Sequence, residues 1–74
     1  MHNTLKNERL SLGISQQQLA KKVGISRPAV SNIERGKVIP SGDLLLKIAQ
    51  VIGKPAEQIF FTNTVIQEAQ SNDV

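Results

Sequence analysis

Glycine at positions 13, 24, 36 and 53 cuts the chain into segments each no longer than about three helical turns, and in several of them apolar residues recur at helical spacing. The pattern predicts a compact all-α domain of short helices, each ended by a residue free to adopt the left-handed conformation.

In the first segment Leu5, Arg9 and Leu12 follow i, i+4, i+7 spacing, which predicts a helix from about Thr4 to Leu12, ended by Gly13. Ser15 precedes "QQQLAKKV" with Gln18 three residues on, an N-cap with its capping-box glutamine. Leu19, Ala20 and Val23 supply that helix's apolar stripe before Gly24. Ser26 opens a third helix in which Ala29, Val30 and Ile33 share a face and Gly36 is the stop. The connection "GIS" is so tight that helices two and three form either a helix-turn-helix or a plain helical hairpin. Ser41 caps a fourth helix whose inward stripe is Leu45, Ile48, Ala49 and Ile52, with Asp43 in its first turn. Pro55 sits at a first-turn position of a short fifth helix, "KPAEQIF".

Pro28 falls two residues into helix three, and a proline in a helix interior breaks it. With Ser26 as N-cap and Arg27 as the first helical residue, Pro28 lies in the first turn, where its missing N–H has no intrahelical partner to lose. The capping bond of Ser26 must then go to the N–H of Ala29. A residue before proline disfavours helical angles, so Arg27 as the cap is the alternative.

The chain has 74 residues, enough for one small core. The expected organisation is a single domain over residues 1–61 and a C-terminal arm over 62–74, where "TNTVIQEAQ" leaves strand and helix both open with an extended arm favoured, and the last residues read as disordered. It has no cysteine, so neither a disulfide nor a thiolate metal site holds the core together. No apolar run approaches the ~20 residues of a membrane span, and "MHNTLKNERL" lacks the apolar stretch of a secretory signal, so a cytoplasmic protein is expected. Net charge is +3, and all 9 Lys and Arg lie at or before Lys54. Basic character confined to the folded part points to a polyanion such as nucleic acid, or to ordinary solubility charge.

Arg9 shares a helix face with Leu5 and Leu12, so its guanidinium needs a buried carboxylate. On a wheel of ~100° per residue centred on Val30, Glu34 lies near the inward side of helix three and is the expected partner. The opposite side carries Pro28, Ser31, Asn32 and Arg35, with Arg27 at its leading edge. Arg reads guanine and Asn reads adenine through paired hydrogen bonds in the major groove, and the same residues would also suit a solvated face. The start of helix two at Gln16 and Gln17, the start of helix four, and Lys37 after helix three flank this stripe where phosphates would lie.

The run from Leu5 to Phe60, with "GISQQQLAKKVGIS", "SNIERGK" and "PSGDLLLKIAQVIG", resembles the phage-repressor-like, Cro-type or xenobiotic-response-element (XRE) family of helix-turn-helix regulators. The resemblance implies a five-helix bundle, with helices two and three as the helix-turn-helix, that binds double-stranded DNA at palindromic operators as a homodimer. It implies phosphate contact at Gln16, base contact from Arg27, Pro28, Ser31 and Asn32, and phosphate contacts from Arg35, Lys37 and the backbone N–H groups around Gly36. It also implies an Arg9–Glu34 ion pair, in agreement with the wheel. Two positions depart from the family pattern. Pro28 replaces a polar reader, leaving only apolar contact there, and "VIPSG" stands in place of an Asn-Pro-Ser turn.

The expected function is a sequence-specific transcriptional regulator, with a repressor favoured. An antitoxin or restriction-modification controller of the same fold, and a protein-interaction module without DNA binding, are the alternatives. Phe60, Phe61, Val65 and Ile66 are candidates for a dimer surface or for packing on the monomer's own core. A lone histidine, His2, and the lack of a carboxylate pair argue against an enzyme, a metal site or a cofactor.

Overall fold

The computed structural model describes residues 3–60. They form five helices in the order α1 (Leu5–Ser11), α2 (Gln16–Val23), α3 (Arg27–Glu34), α4 (Gly42–Ile52) and α5 (Ala56–Phe60). No strand occurs among the described residues. None of the helices is long and apolar enough to cross a membrane.

Every helix contributes to one core. Leu5 comes from α1, Leu19, Ala20 and Val23 from α2, Val30 and Ile33 from α3, Ile48 and Ile52 from α4, and Ile59 and Phe60 from α5. Ile14 and Ile25, in the turns on either side of α2, pack against it, as do Leu44, Leu45, Ala49 and Val51 of α4. Helix α2 lies against both α3 and α4, while α5 bridges α4 and α1. Helices this short gain little from propensity alone, so the shared core is what stabilises them.

The helix boundaries follow the caps. Ser15 accepts from the N–H of Gln18 at 3.0 Å while Gln18 Oε1 accepts from the N–H of Ser15 at 2.8 Å, a complete capping box. Gly24 ends α2 at φ 81° and donates its N–H to the Ala20 carbonyl. Ser26, not Arg27, caps α3, with its hydroxyl accepting from the N–H of Ala29 at 3.2 Å. Pro28 is accommodated as the second helical residue, and α3 continues unbroken to Glu34. Ser41 caps α4 by accepting from the N–H of Leu44 at 3.4 Å.

Three expectations need correction. Leu12 is 50% exposed: as the C-cap of α1 it keeps right-handed helical angles, but its place on the i, i+4, i+7 series does not bring it into the core. Pro55 stands just before α5 instead of inside its first turn, and its carbonyl accepts from the N–H of Gln58. Phe60, a candidate for a dimer surface, has 0% exposure, because the end of α5 turns inward onto α1 and α4. Its companions Phe61, Val65 and Ile66, and the arm over residues 62–74, lie outside the described residues.

Candidate nucleic-acid interface

Helix α3 is held by its two buried apolar residues and one acid. Val30 and Ile33 are buried, and Glu34 has only 3% of its side chain exposed. Its carboxylate meets Arg9 of α1 in a forked pair, with Nε–Oε2 at 2.7 Å and Nη2–Oε1 at 3.2 Å. The third guanidinium nitrogen, Nη1, donates to the Ile14 carbonyl at 2.9 Å, so the pair is fully hydrogen-bonded, as a buried pair must be. The pairing expected from helix periodicity is therefore present. It fixes α3 to α1 and to the turn before α2.

The same carboxylate reaches outward. Glu34 Oε1 also accepts from Gln16 Nε2 at 3.0 Å, and Gln16 Oε1 accepts from Arg27 Nη1 at 3.1 Å. A continuous line of hydrogen bonds thus runs from the buried Arg9 to the exposed Arg27 at the start of α3. Glu34 orients the amide of Gln16, since an acid can only accept, and the amide oxygen is left facing Arg27. Sequence reasoning placed Gln16 at a phosphate; its side chain here spans the two helices of the helix-turn-helix.

Across the rest of the outward side of α3, Arg27, Pro28 and Arg35 are exposed, while Ser31 and Asn32 are half-buried along its flank. Arg35 Nη2 donates to Asn32 Oδ1 at 3.3 Å, which leaves the amide nitrogen of Asn32 as its free end. At the far end Gly36 adopts φ 76°. Its N–H donates to the Ile33 carbonyl at 3.0 Å, and that of Lys37 to the Asn32 carbonyl at 2.9 Å, the paired bonds of a Schellman cap. The N–H groups of Gly36 and Lys37 are therefore spent on closing α3 and not held out for a phosphate. The exposed side chains of Arg35 and Lys37 remain at this end. Gln17 is exposed in the first turn of α2, beside Gln16.

The stripe is free of acid on its outer side. Its exposed charged groups, Arg27, Arg35 and Lys37, are all cationic, and a polyanion alongside would meet no like charge there. One residue that sequence reasoning did not single out also reaches α3: Asn3, whose Nδ2 donates to the Ile33 carbonyl at 2.8 Å. Its position before α1 carries no periodic signal from which a contact with α3 could be inferred.

Comparison with known proteins places this arrangement. The helix-turn-helix family model matches residues 5–59. An uncharacterized HTH-type transcriptional regulator of Methanocaldococcus jannaschii is 45% identical over 60 residues, covering 81% of this chain and 91% of the relative. The regulator YgzD of Bacillus subtilis, also uncharacterized, is 38% identical over 61 residues, covering 82% and 92%. A third, from Mycobacterium tuberculosis, is 30% identical over 70 residues, and there the chain spans 50% of the relative's length. Among solved structures, the clp gene regulator ClgR of Corynebacterium glutamicum superposes with a TM-score of 0.68 at 25% identity over 90% of this chain and 66% of that one. A hypothetical transcription factor NHTF from Neisseria gives 0.69 at 26% identity, over 85% and 73%. With the family model running from the start of α1 into α5 and the helix pair α2–α3 built as described, the chain belongs to the XRE-type helix-turn-helix family of transcriptional regulators.

Proposed function

We propose that the chain binds duplex DNA sequence-specifically as a homodimer on a palindromic operator in the cytoplasm, and acts there as a repressor. Helix α3 is the reading helix, with Arg27, Ser31 and Asn32 at base edges and Pro28 against an apolar group such as a thymine methyl. Arg35, Lys37 and the start of α2 at Gln16 and Gln17 grip the flanking phosphates, contacts that position the helix without carrying sequence information. In a dimer the two reading helices would stand about 34 Å apart, one turn of the duplex.

The observation that carries this reading is the guanidinium of Arg27. It is exposed at the N-terminal end of α3, the end from which a helix in the major groove reaches bases, and Gln16 holds it at 3.1 Å. An arginine serving only for solubility would have no need of a fixed partner, because an exposed polar pair adds little to stability.

Selection of preferred duplexes from a random pool, with Arg27→Ala alongside, tests the reading. A palindromic consensus is expected, with one position per half-site losing its preference in the variant. No consensus for the wild-type chain, or the same consensus at equal stringency for Arg27→Ala, would overturn it.

A further inference from the structure

The reading helix is anchored at its C-terminal end by a residue outside the helix-turn-helix. Asn3 uses both ends of its amide. Oδ1 accepts from the N–H of Leu5 at 3.0 Å, which closes the chain into α1, and Nδ2 donates to the Ile33 carbonyl at 2.8 Å, thirty positions away. These two bonds together fix which way the amide faces, because only one end can accept and only the other can donate.

The Ile33 carbonyl is not an arbitrary acceptor. It is the one that takes the N–H of Gly36 in the Schellman cap, so Asn3 and Gly36 share its two lone pairs. Residues 35–37, which carry the cationic side chains of Arg35 and Lys37, hang from this cap. Next to Asn3, Thr4 donates its N–H to the Ile59 carbonyl of α5 at 2.9 Å. The dipeptide Asn3–Thr4 therefore clasps the end of α3 on one side and α5 on the other.

We infer that Asn3 is a positioning residue for DNA binding: by holding the Ile33 carbonyl it sets the turn that aims Arg35 and Lys37 at the DNA backbone. The inference rests on the proposed DNA-binding reading. It assigns Asn3 a separable effect, because contacts to phosphate act on every sequence alike, whereas contacts to bases discriminate. Loss of the clasp weakens binding without altering which bases are preferred.

Asn3→Ser separates the two bonds. A serine hydroxyl at this position still accepts from the N–H of Leu5, in the manner of the local turns that Ser shares with Asn, but is too short to reach Ile33. Two measurements are made on the folded, full-length chain. Amide hydrogen exchange of the DNA-free protein is expected to lose protection at Gly36 and Lys37, while Gly24, which caps α2, keeps its own. Affinity for the duplex returned by selection and for a scrambled duplex is expected to fall several-fold and by the same factor, with a shallower salt dependence and the same base preferences. Unchanged protection and affinity, protection lost evenly over all helices, or a loss confined to the selected duplex would each overturn the role given to Asn3. A wild-type chain that binds neither duplex in a salt-dependent manner would overturn the DNA-binding reading itself. The exchange result, obtained without DNA, keeps the two failures apart.

Discussion

Arg9 and Glu34, 25 positions apart, form a forked ion pair whose side chains are only 7% and 3% exposed. Taking both charges out of water is costly, and the pair persists because each of its members is hydrogen-bonded beyond the other, Arg9 to the Ile14 carbonyl and Glu34 to Gln16.

Removing one partner leaves a buried, uncompensated charge. Glu34→Ala is expected to lower unfolding free energy by about 3–5 kcal/mol, a large share of the total for a domain of this size. The double replacement Arg9→Met with Glu34→Leu removes both charges and should recover most of that loss. Urea denaturation of the single and double variants checks this. A Glu34→Ala midpoint equal to that of the wild type would show that the pair does not stabilise the fold.

Gln16 is the step between that pair and Arg27 on the outward side of α3. Gln16→Ala leaves Arg9 and Glu34 paired but releases Arg27, so it should relax preference at the same base position as Arg27→Ala, by less than the roughly 1–3 kcal/mol attached to a direct arginine contact. Stability should fall by about 1.5–3 kcal/mol, since Glu34 keeps Arg9 but loses the Gln16 amide as a donor to its buried carboxylate. Selection from a random pool makes the comparison. If Gln16→Ala instead weakened binding to all sequences equally, Gln16 would be a phosphate contact and nothing more.

How far the sequence carried these conclusions differs from residue to residue. The caps at Ser15, Ser26 and Ser41 and the ends at Gly24 and Gly53 were legible because each rests on chemistry within a few residues. The Arg9–Glu34 pair was legible because periodicity put a charge on each of two apolar faces, and a buried charge demands its opposite. The link through Gln16 was not, because an amide can satisfy itself in water and so makes no such demand. The spending of the Gly36 and Lys37 N–H groups on a helix cap, and the hold of Asn3 on Ile33, depend on how separate segments meet in space. Leu12 misled for a different reason: helical spacing says which side a residue faces, not whether another element covers it, and Leu12 is left half exposed.

Ser26 and Pro28 divide the start of α3 between them. Ser26→Ala removes the acceptor for the N–H of Ala29 and should cost about 1 kcal/mol of stability. Pro28→Ala leaves that acceptor in place and frees the unfolded chain, with an expected loss of about 0.4–1 kcal/mol. Neither removes a hydrogen bond to a base, so the consensus should survive both. Denaturation and pool selection on the two variants read the two effects separately. A consensus changed at several positions by Pro28→Ala would show that the proline does more than stiffen the helix start.

Gly24 stands between α2 and α3, and its conformation sets the turn. At φ 81° it occupies the left-handed region, and a Cβ added there would meet nothing within 4 Å. The cost of a side chain is therefore the backbone's own, about 1–2 kcal/mol for Gly24→Ala. Gly24→Asn should lose less, because Asn tolerates the left-handed region better than other residues with a side chain. Since both variants keep the same turn, base preference should stay with that of the wild type while the denaturation midpoint orders them Gly, Asn, Ala. A Gly24→Ala chain as stable as the wild type would mean that the turn can be made at negative φ, and that the glycine does not dictate how α2 presents α3.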